Sequence, residues 1–91
     1  MIRIIYSKKF EVKLGKIIRG KNKLLRKVIN KIDKFQEDPK YPSLKTHKLT
    51  GKMDEIWSFW IEGDLRIIYY WEEDGSVVFA DIGTHDEVYK K

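Results

Sequence analysis

The fold is decided by residues 56–82, which read IWSFWIEGDLRIIYYWEEDGSVVFADI. Three runs rich in β-branched and aromatic residues fill this stretch, at positions 56–61, 65–71 and 77–82. Gly63 and the pair Asp74-Gly75 lie in the connections between the runs, where tight hairpin turns favour such residues. Three strands joined in this way form an antiparallel meander.

The first half of the chain predicts a short strand and two helices. Ile2, Ile4 and Tyr6 alternate along the strand, and Ser7 offers an N-cap to the helix that follows. The apolar positions of this first helix recur at helical spacing before Gly20: Phe10, Leu14, Ile17 and Ile18. A second helix ends before Pro39. Its apolar face comprises Leu24, Leu25, Val28, Ile29, Ile32 and Phe35. Its opposite face is cationic, with Lys23, Arg26, Lys27, Lys31 and Lys34.

These elements predict one α+β domain over residues 1–91. An N-terminal strand, a helical hairpin and the meander would place the helices on one face of a twisted, mainly antiparallel sheet. Alternation along the middle strand of the meander sorts its residues onto two faces. Leu65, Ile67, Tyr69 and Trp71 form the more apolar face, which we expect the helices to cover. Arg66, Ile68 and Tyr70 would then lie on the open face.

Composition narrows the possible functions. The chain has 91 residues, a formal net charge of +5 and no cysteine, which excludes disulfides and thiolate metal sites. No apolar run is long enough to span a membrane, and the N-terminal apolar run is too short for a signal peptide, so we expect a soluble cytoplasmic protein. Sixteen of the 19 Lys and Arg residues lie in residues 1–52. This asymmetry fits a polyanion, an acidic protein partner or simply a well-solvated surface.

The candidate chemical groups are two histidines, one arginine and a C-terminal tyrosine. His85 and Tyr89 lie just after the last strand, and His47 lies in a polar segment predicted as a loop. If His47 and His85 converge on one cleft, they could act as base and acid in phosphodiester cleavage. Arg66 suits a phosphate, and the alternative is a structural ion pair across strands with Asp81 or a glutamate. A lone loop histidine such as His47 is more often incidental.

Other chemistries are poorly supported by the sequence. The histidines could be combined with Asp64, Asp81 or Asp86, but no closely spaced ligand motif exists, so we expect no metal site. The chain also lacks a glycine-rich phosphate loop and a Ser or Cys nucleophile motif. We therefore expect no cofactor and no nucleotide hydrolysis.

Four segments in order carry a resemblance to a known family. They are Lys48-Leu49-Thr50-Gly51, Trp57-Ser58-Phe59, Asp64-Leu65-Arg66-Ile67-Ile68-Tyr69 and Asp81-Ile82-Gly83-Thr84-His85-Asp86-Glu87-Val88-Tyr89. With the order of elements, they resemble the RelE/ParE superfamily of toxins, and within it the YafQ-like, RelE-type mRNA interferases. The resemblance implies a ribosome-dependent, metal-independent endoribonuclease that cuts mRNA in the A site. The 2′-hydroxyl would attack the adjacent phosphate and give a 2′,3′-cyclic phosphate.

The resemblance also implies roles for individual residues. His85 would be the general acid and Arg66 the phosphate stabiliser, with His47 or Asp64 as the base. Tyr89 would stack on or orient a nucleobase, and we expect Tyr89 and His85 to lie beside Arg66. Contacts to RNA would come from Lys45, Lys48, Lys52 and Trp60. Trp60 stands where the YafQ-like pattern has a histidine, so a titrating group is replaced by a stacking surface and the identity of the base stays open.

The implied partners are the ribosome with its rRNA, mRNA, and a cognate acidic antitoxin that folds as it wraps the toxin in a hetero-oligomer. Two alternatives share the fold. One is a ParE-like toxin that acts on DNA gyrase and does not need a C-terminal His and Tyr at this spacing. The other is a weakened homologue that only binds its antitoxin or RNA.

Overall fold

The computed structural model describes residues 1–49 and 55–89, and of Tyr89 it describes the backbone alone. The elements, in chain order, are β1 (Ile4–Tyr6), α1 (Lys8–Ile18), α2 (Asn22–Glu37), a 3-10 helix (Pro42–Leu44), β2 (His47–Lys48), β3 (Ile56–Glu62), β4 (Leu65–Trp71), β5 (Val77–Thr84) and α3 (His85–Tyr89). The strands form one sheet in the order β1-β5-β4-β3-β2, in which the β1–β5 pair is parallel and the other pairs are antiparallel. The predicted α+β fold is confirmed, and β2 and α3 are additions to it.

Ser7 joins β1 to α1 as predicted. Its Oγ accepts a hydrogen bond from the Phe10 amide at 3.0 Å, which satisfies one of the free N–H groups of the first turn. The same hydroxyl donates to the Ala80 carbonyl at 3.1 Å. One side chain therefore caps α1 and attaches its start to β5.

The core lies between the helices and one face of the sheet. Its centre is a group of buried aromatic rings contributed by both helices and three strands: Phe10, Phe35, Phe59, Tyr69 and Phe79. Phe35 stacks on Phe59 with ring centroids 4.8 Å apart and meets Tyr69 edge-on at the same distance. Burial raises the pKa of the Tyr69 phenol.

The alternation along β4 is confirmed for the covered face, whereas Ile68, expected on the open face, is only 6% exposed. Leu65, Ile67 and Tyr69 belong to the core or pack against it. Trp71, predicted for the same covered face, is 40% exposed at the end of the strand.

A bulge in β5 shifts the register of its pairing with β4. Ile68 of β4 pairs with Asp81, whereas Tyr69 pairs with Phe79, so Ala80 is an extra residue. Phe79 and Ile82 can therefore both point into the core although they are three positions apart. No run of simple alternation in the sequence indicates this shift.

The prediction for α2 was wrong at two positions. Lys31, expected on the solvated cationic face, is only 9% exposed, and Ile29, expected on the apolar face, is 49% exposed. Lys31 faces the 3-10 helix, where its ammonium donates to the Ser43 carbonyl at 3.2 Å. The buried stripe of α2 is therefore rotated toward Lys31, because the 3-10 helix covers that side. No helix in the described part of the chain is long and apolar enough to cross a membrane.

Candidate functional site

A cavity of about 260 Å³ opens beside the ends of β2, β3 and β4. Its lining residues are Lys45, His47, Ser58, Phe59, Trp60 and Arg66. Strand register brings them together, since His47 pairs with Ser58 and Trp60 pairs with Arg66. A larger cavity of about 510 Å³, lined by Arg3, Gln36 and Asp74 among others, contains none of the predicted site residues. We therefore take the smaller cavity as the candidate site.

His47 lies on a strand and not in the loop that its polar surroundings predict. Its Nδ1 is 3.3 Å from the Lys45 carbonyl oxygen, and its Nε2 is 3.5 Å from the Ser58 hydroxyl. A carbonyl oxygen can only accept, so this contact requires the proton on Nδ1. In the neutral imidazole Nε2 is then the acceptor, and it is the nitrogen available to take up a proton.

Arg66 pairs with a different partner from the one predicted. Its Nη2 lies 3.0 Å from Oδ1 of Asp64, and its side chain is 17% exposed. Asp81, the expected cross-strand partner, instead binds Lys13 at 2.8 Å and Lys9 at 3.5 Å. The reason is that α1 runs beside β5 and presents two ammonium groups to Asp81.

Asp64 also holds the start of α3. Its Oδ2 accepts a hydrogen bond from the backbone amide of His85 at 3.2 Å. A carboxylate at this position suits the partial positive charge of a helix N-terminus. One carboxylate therefore links the Arg66 guanidinium to the residue that begins α3.

The short helix α3 forms because Thr84-His85-Asp86-Glu87 is a capping box. The Thr84 amide donates to Glu87 Oε1 at 2.9 Å, and the Glu87 amide donates to Thr84 Oγ1 at 3.4 Å. Gly83 makes room for this arrangement, since a Cβ there would lie 2.7 Å from Glu87 Oε1 and 3.2 Å from Glu87 Cβ. The T-x-x-E spacing was visible in the sequence and could have predicted the helix.

The structure brings some of the predicted residues together and leaves others apart. His47, Arg66, Trp60 and Lys45 line the cavity. The His85 side chain is 55% exposed, with Nδ1 3.7 Å from an Asp86 oxygen, and is not among the lining residues. Its backbone amide connects to Arg66 through the Asp64 carboxylate.

Three further residues were predicted for the site. Lys48 is an exposed residue of β2 whose Cα partner is Trp57. Lys52 and the side chain of Tyr89 lie outside the described residues.

Trp60 forms one wall of the cavity together with two lysines. The Lys45 ammonium lies 4.3 Å from the ring centroid and the Lys31 ammonium 4.7 Å from it, while the indole Nε1 donates to the Gly63 carbonyl at 2.8 Å. Burial lowers the pKa of Lys31, and the nearby charges of Lys34, Lys27 and Lys45 lower it further.

Lys31 was not among the predicted site residues, although a signal for it exists. It stands three residues after Val28 and four before Phe35, within the buried stripe of the helix.

No metal-binding group emerges from the part of the chain that the structure describes. Residues 1–49 and 55–89 contain no cluster of three or more His, Asp or Glu side chains that could hold an ion. What the site does assemble is positive charge, an imidazole whose Nε2 faces the Ser58 hydroxyl, and an aromatic surface.

Solved structures of bacterial toxins share this fold. The structure titled a metal-bound toxin from Helicobacter pylori is 27% identical over 98% of this chain and 100% of its own, with a TM-score of 0.74. YafQ from E. coli strain BL21(DE3) is 21% identical over 98% of this chain and 99% of its own, with a TM-score of 0.69. A YoeB/ParE toxin from Agrobacterium tumefaciens is 17% identical over 92% and 99%, with a TM-score of 0.77. The fold is that of the RelE/YoeB-like toxins.

The family is shown by sequence. The family model described as bacterial toxin of type II toxin-antitoxin system, YafQ, matches residues 2–90, and the chain belongs to this family. It is therefore a type II toxin, a class of protein that acts with an antitoxin partner. Among curated protein sequences, none matches the chain.

Proposed function

We propose that this toxin is a ribosome-dependent endoribonuclease that cuts mRNA in the A site. The observation that carries the proposal is the convergence of His47 and Arg66 on one cavity of the open sheet face. Cleavage by a 2′-hydroxyl needs a base, a cation near the phosphate and an acid for the leaving oxygen. This chain offers a candidate for each of the three roles.

His47 is the base in this proposal. Its Nδ1 is turned to the Lys45 carbonyl, and its Nε2, which lies 3.5 Å from the Ser58 hydroxyl, would exchange that contact for the 2′-hydroxyl and accept its proton. The other candidate, Asp64, already directs one carboxylate oxygen to Arg66 and the other to the His85 amide. Asp64 is therefore better suited to positioning Arg66 and α3 than to abstracting a proton.

Arg66 and His85 complete the reaction. As the 2′-oxygen bonds to phosphorus, the guanidinium stabilises the negative charge that develops on the phosphorane oxygens. The bond from phosphorus to the 5′-oxygen then breaks, and the protonated imidazole of His85 donates its proton to that oxygen. The products are a 2′,3′-cyclic phosphate and a free 5′-hydroxyl, and a later proton transfer between solvent and the two histidines restores the starting state.

The exposure of His85 supports a role for the ribosome. With a side chain more than half exposed, His85 lies outside the cavity that contains His47 and Arg66. An mRNA held in a fixed path by the ribosome would bridge the two positions. Lys48 and Lys52 would contact rRNA or the mRNA backbone, and Tyr89 would stack on or orient a base. Because ribosomes and their mRNA are in the cytoplasm, this activity would take place there.

The proposal is tested by inducing the wild type, His85→Ala, His47→Ala and the control Lys23→Ala in cells and mapping mRNA ends. Lys23 is an exposed residue of α2, so its removal changes net charge without touching the cavity. We expect growth arrest and new cyclic-phosphate ends within codons for the wild type and Lys23→Ala, and loss of both for the histidine variants. Equal toxicity from all four proteins without new mRNA ends would contradict the proposal. Gyrase-linked DNA damage in their place would establish the alternative ParE-like activity.

A further inference from the structure

Three side chains form a cluster that the proposed chemistry does not use: Lys31, Trp60 and Lys45. Both ammonium groups lie over the same indole, at 4.7 Å for Lys31 and 4.3 Å for Lys45. Among residues 1–49 and 55–89, no carboxylate lies within ion-pairing distance of either lysine. The ring therefore holds two like charges close together, and within the described residues these charges are offset by the negative face of the ring and, for Lys31, by the Ser43 carbonyl.

The two lysines are held differently. Lys31 is buried and bonded to the Ser43 carbonyl, which belongs to the 3-10 helix. Lys45 is exposed and lines the cavity. Losing a cation–π contact at an exposed site costs little, whereas a buried lysine that loses its partners pays the desolvation penalty in full. Lys45 can therefore leave the ring, and Lys31 stays.

The backbone around Lys45 indicates that this arrangement is built into the fold. The backbone of Lys45 has φ +50°, a left-handed conformation that residues other than glycine adopt only when their surroundings enforce it. Its amide donates to the Pro42 carbonyl at 3.2 Å, and its own carbonyl contacts His47 Nδ1. Lys31 therefore binds Ser43, and the short segment of residues 43–47 also directs Lys45 to Trp60 and orients His47.

We propose that Trp60 is a nucleobase platform on which Lys45 is replaced by a base of single-stranded RNA, while Lys31 holds the ring and the 3-10 helix in place. On binding, Lys45 moves from the ring to the phosphate that flanks the stacked base. Lys31 is thus a positioning residue that contacts no RNA. The inference rests on the proposed function for the identity of the ligand, and it adds the exchange of one cation.

Binding of an uncleavable single strand tests the proposal without any cleavage. The probe is a short 2′-deoxy oligonucleotide, which lacks the attacking hydroxyl, titrated into the full chain over a range of salt concentrations. Stacking on an aromatic ring contributes enough that we expect Trp60→Leu to weaken binding roughly 5- to 100-fold and Trp60→Phe to retain most of it. A variant with Trp57→Phe and Trp71→Phe leaves Trp60 as the only indole, and its fluorescence should change on binding.

The lysines are separated by the salt dependence of that binding. Each phosphate contact on a single strand contributes about 0.7 to the slope of log affinity against log salt. We expect Lys45→Met to lower the magnitude of the slope by about this amount. Lys31→Met should weaken binding several-fold with the slope unchanged, and Lys31→Arg should recover the affinity.

Lys34→Met is the matched control, because Lys34 lies three residues further along α2 with its ammonium 4.7 Å from the Tyr41 ring, away from the cavity. It should bind the probe like the wild type. A Lys31→Met variant that also binds like the wild type would overturn the positioning role, and a Trp60→Leu variant that does so would overturn the platform. A slope lowered equally by Lys31→Met and Lys45→Met would show that Lys31 itself contacts phosphate. Loss of cleavage in cells with these binding results intact would refute the proposed function alone.

Discussion

The two sides of the candidate site are held by different kinds of contact. On the α3 side, the capping box of Thr84 and Glu87 acts through hydrogen bonds within one short segment, and the Asp64 carboxylate reaches this segment from 21 residues earlier in the chain. On the Trp60 side, Lys31 of α2 meets the 3-10 helix and β3, which are distant in the chain. The helix α3 itself is therefore specified by local sequence, whereas the Trp60 side depends on tertiary packing. Because the two sides are held by different contacts, a substitution can be chosen that acts on one side and not on the other.

The largest effect should come from removing the imidazole of the cavity. If His47 is the base, His47→Ala should lower cleavage by about 10²- to 10⁴-fold, the usual contribution of general acid–base catalysis. The free energy of unfolding should change little, because the His47 side chain is exposed and its contacts are long. Mapping of mRNA ends together with urea unfolding measures both. Full cleavage by this variant would assign the base elsewhere.

Displacing α3 should have the next largest effect. In Gly83→Ala the new methyl group would lie 2.7 Å from Glu87 Oε1, so we expect the Glu87 carboxylate to leave the Thr84 amide and α3, with His85 at its start, to be displaced. Misplacing a catalytic group by about 1 Å can cost about 100-fold in rate, and we expect a loss of up to that size.

Gly15→Ala is the matched control for Gly83→Ala, since nothing lies within 4 Å of a Cβ at this position of α1. It should keep full cleavage and raise the free energy of unfolding by roughly 0.5–1 kcal/mol, as expected for alanine in a helix interior. Equal activity of the two variants would mean that α3 does not position a catalytic group.

Removing a cap of α3 without adding bulk should have a smaller effect than Gly83→Ala, and it should be seen in the stability of α3. Thr84→Ala removes the hydroxyl that caps the helix, and losing such a cap costs about 1 kcal/mol. We expect most of this cost to appear as local opening of α3. Hydrogen exchange of the Glu87 amide, which donates to the removed hydroxyl, should accelerate while exchange in β4 stays slow. Uniform acceleration throughout the sheet would show that α3 is part of the cooperative core.

The smallest expected effect is on the Trp60 side, where Lys31 should make the free energy of unfolding depend on pH. Burial and neighbouring charges lower the pKa of Lys31 in the folded protein, so near the ordinary lysine value of 10.5 the unfolded chain binds more protons than the folded one. The free energy of unfolding should therefore increase as pH rises through the folded pKa of Lys31 toward 10.5. Below the folded pKa, the cost of burying the charged ammonium should be fully present. Urea unfolding of wild type and Lys31→Met between pH 7 and 10.5 should show the difference shifting in favour of the wild type as pH rises. A shift in the opposite direction would mean that contacts with Ser43 and Trp60 outweigh burial.

The same division explains what could be predicted from the sequence. Alternation placed Ile67 and Tyr69 in the core and Arg66 on the other face, because a strand covered on one side records that asymmetry in its side chains. Lys31 has helical spacing from the buried Val28 and Phe35, but its burial was missed because the apolar residues of a helix do not show which side a later 3-10 helix will cover.

The other misses have similar causes. The bulge at Ala80 and the pairing of Asp81 with Lys9 and Lys13 depend on how α1 lies along β5. Strand β2 has two residues and exists through its pairing with β3, so its pattern is too short to detect. The capping box that forms α3 was a local signal, and it could have been recognised.

If Arg66 binds phosphate as proposed, the carboxylate of Asp64 links that affinity to the folding of α3. A phosphate that binds the Arg66 guanidinium competes with Asp64 Oδ1, and the oxygen Oδ2 of the same carboxylate accepts the bond from the His85 amide. Any coupling between two such equilibria is reciprocal. A ligand that draws Arg66 away from Asp64 changes the stability of α3, and a partner that clamps or unfolds α3 changes by the same factor how tightly Arg66 holds a phosphate.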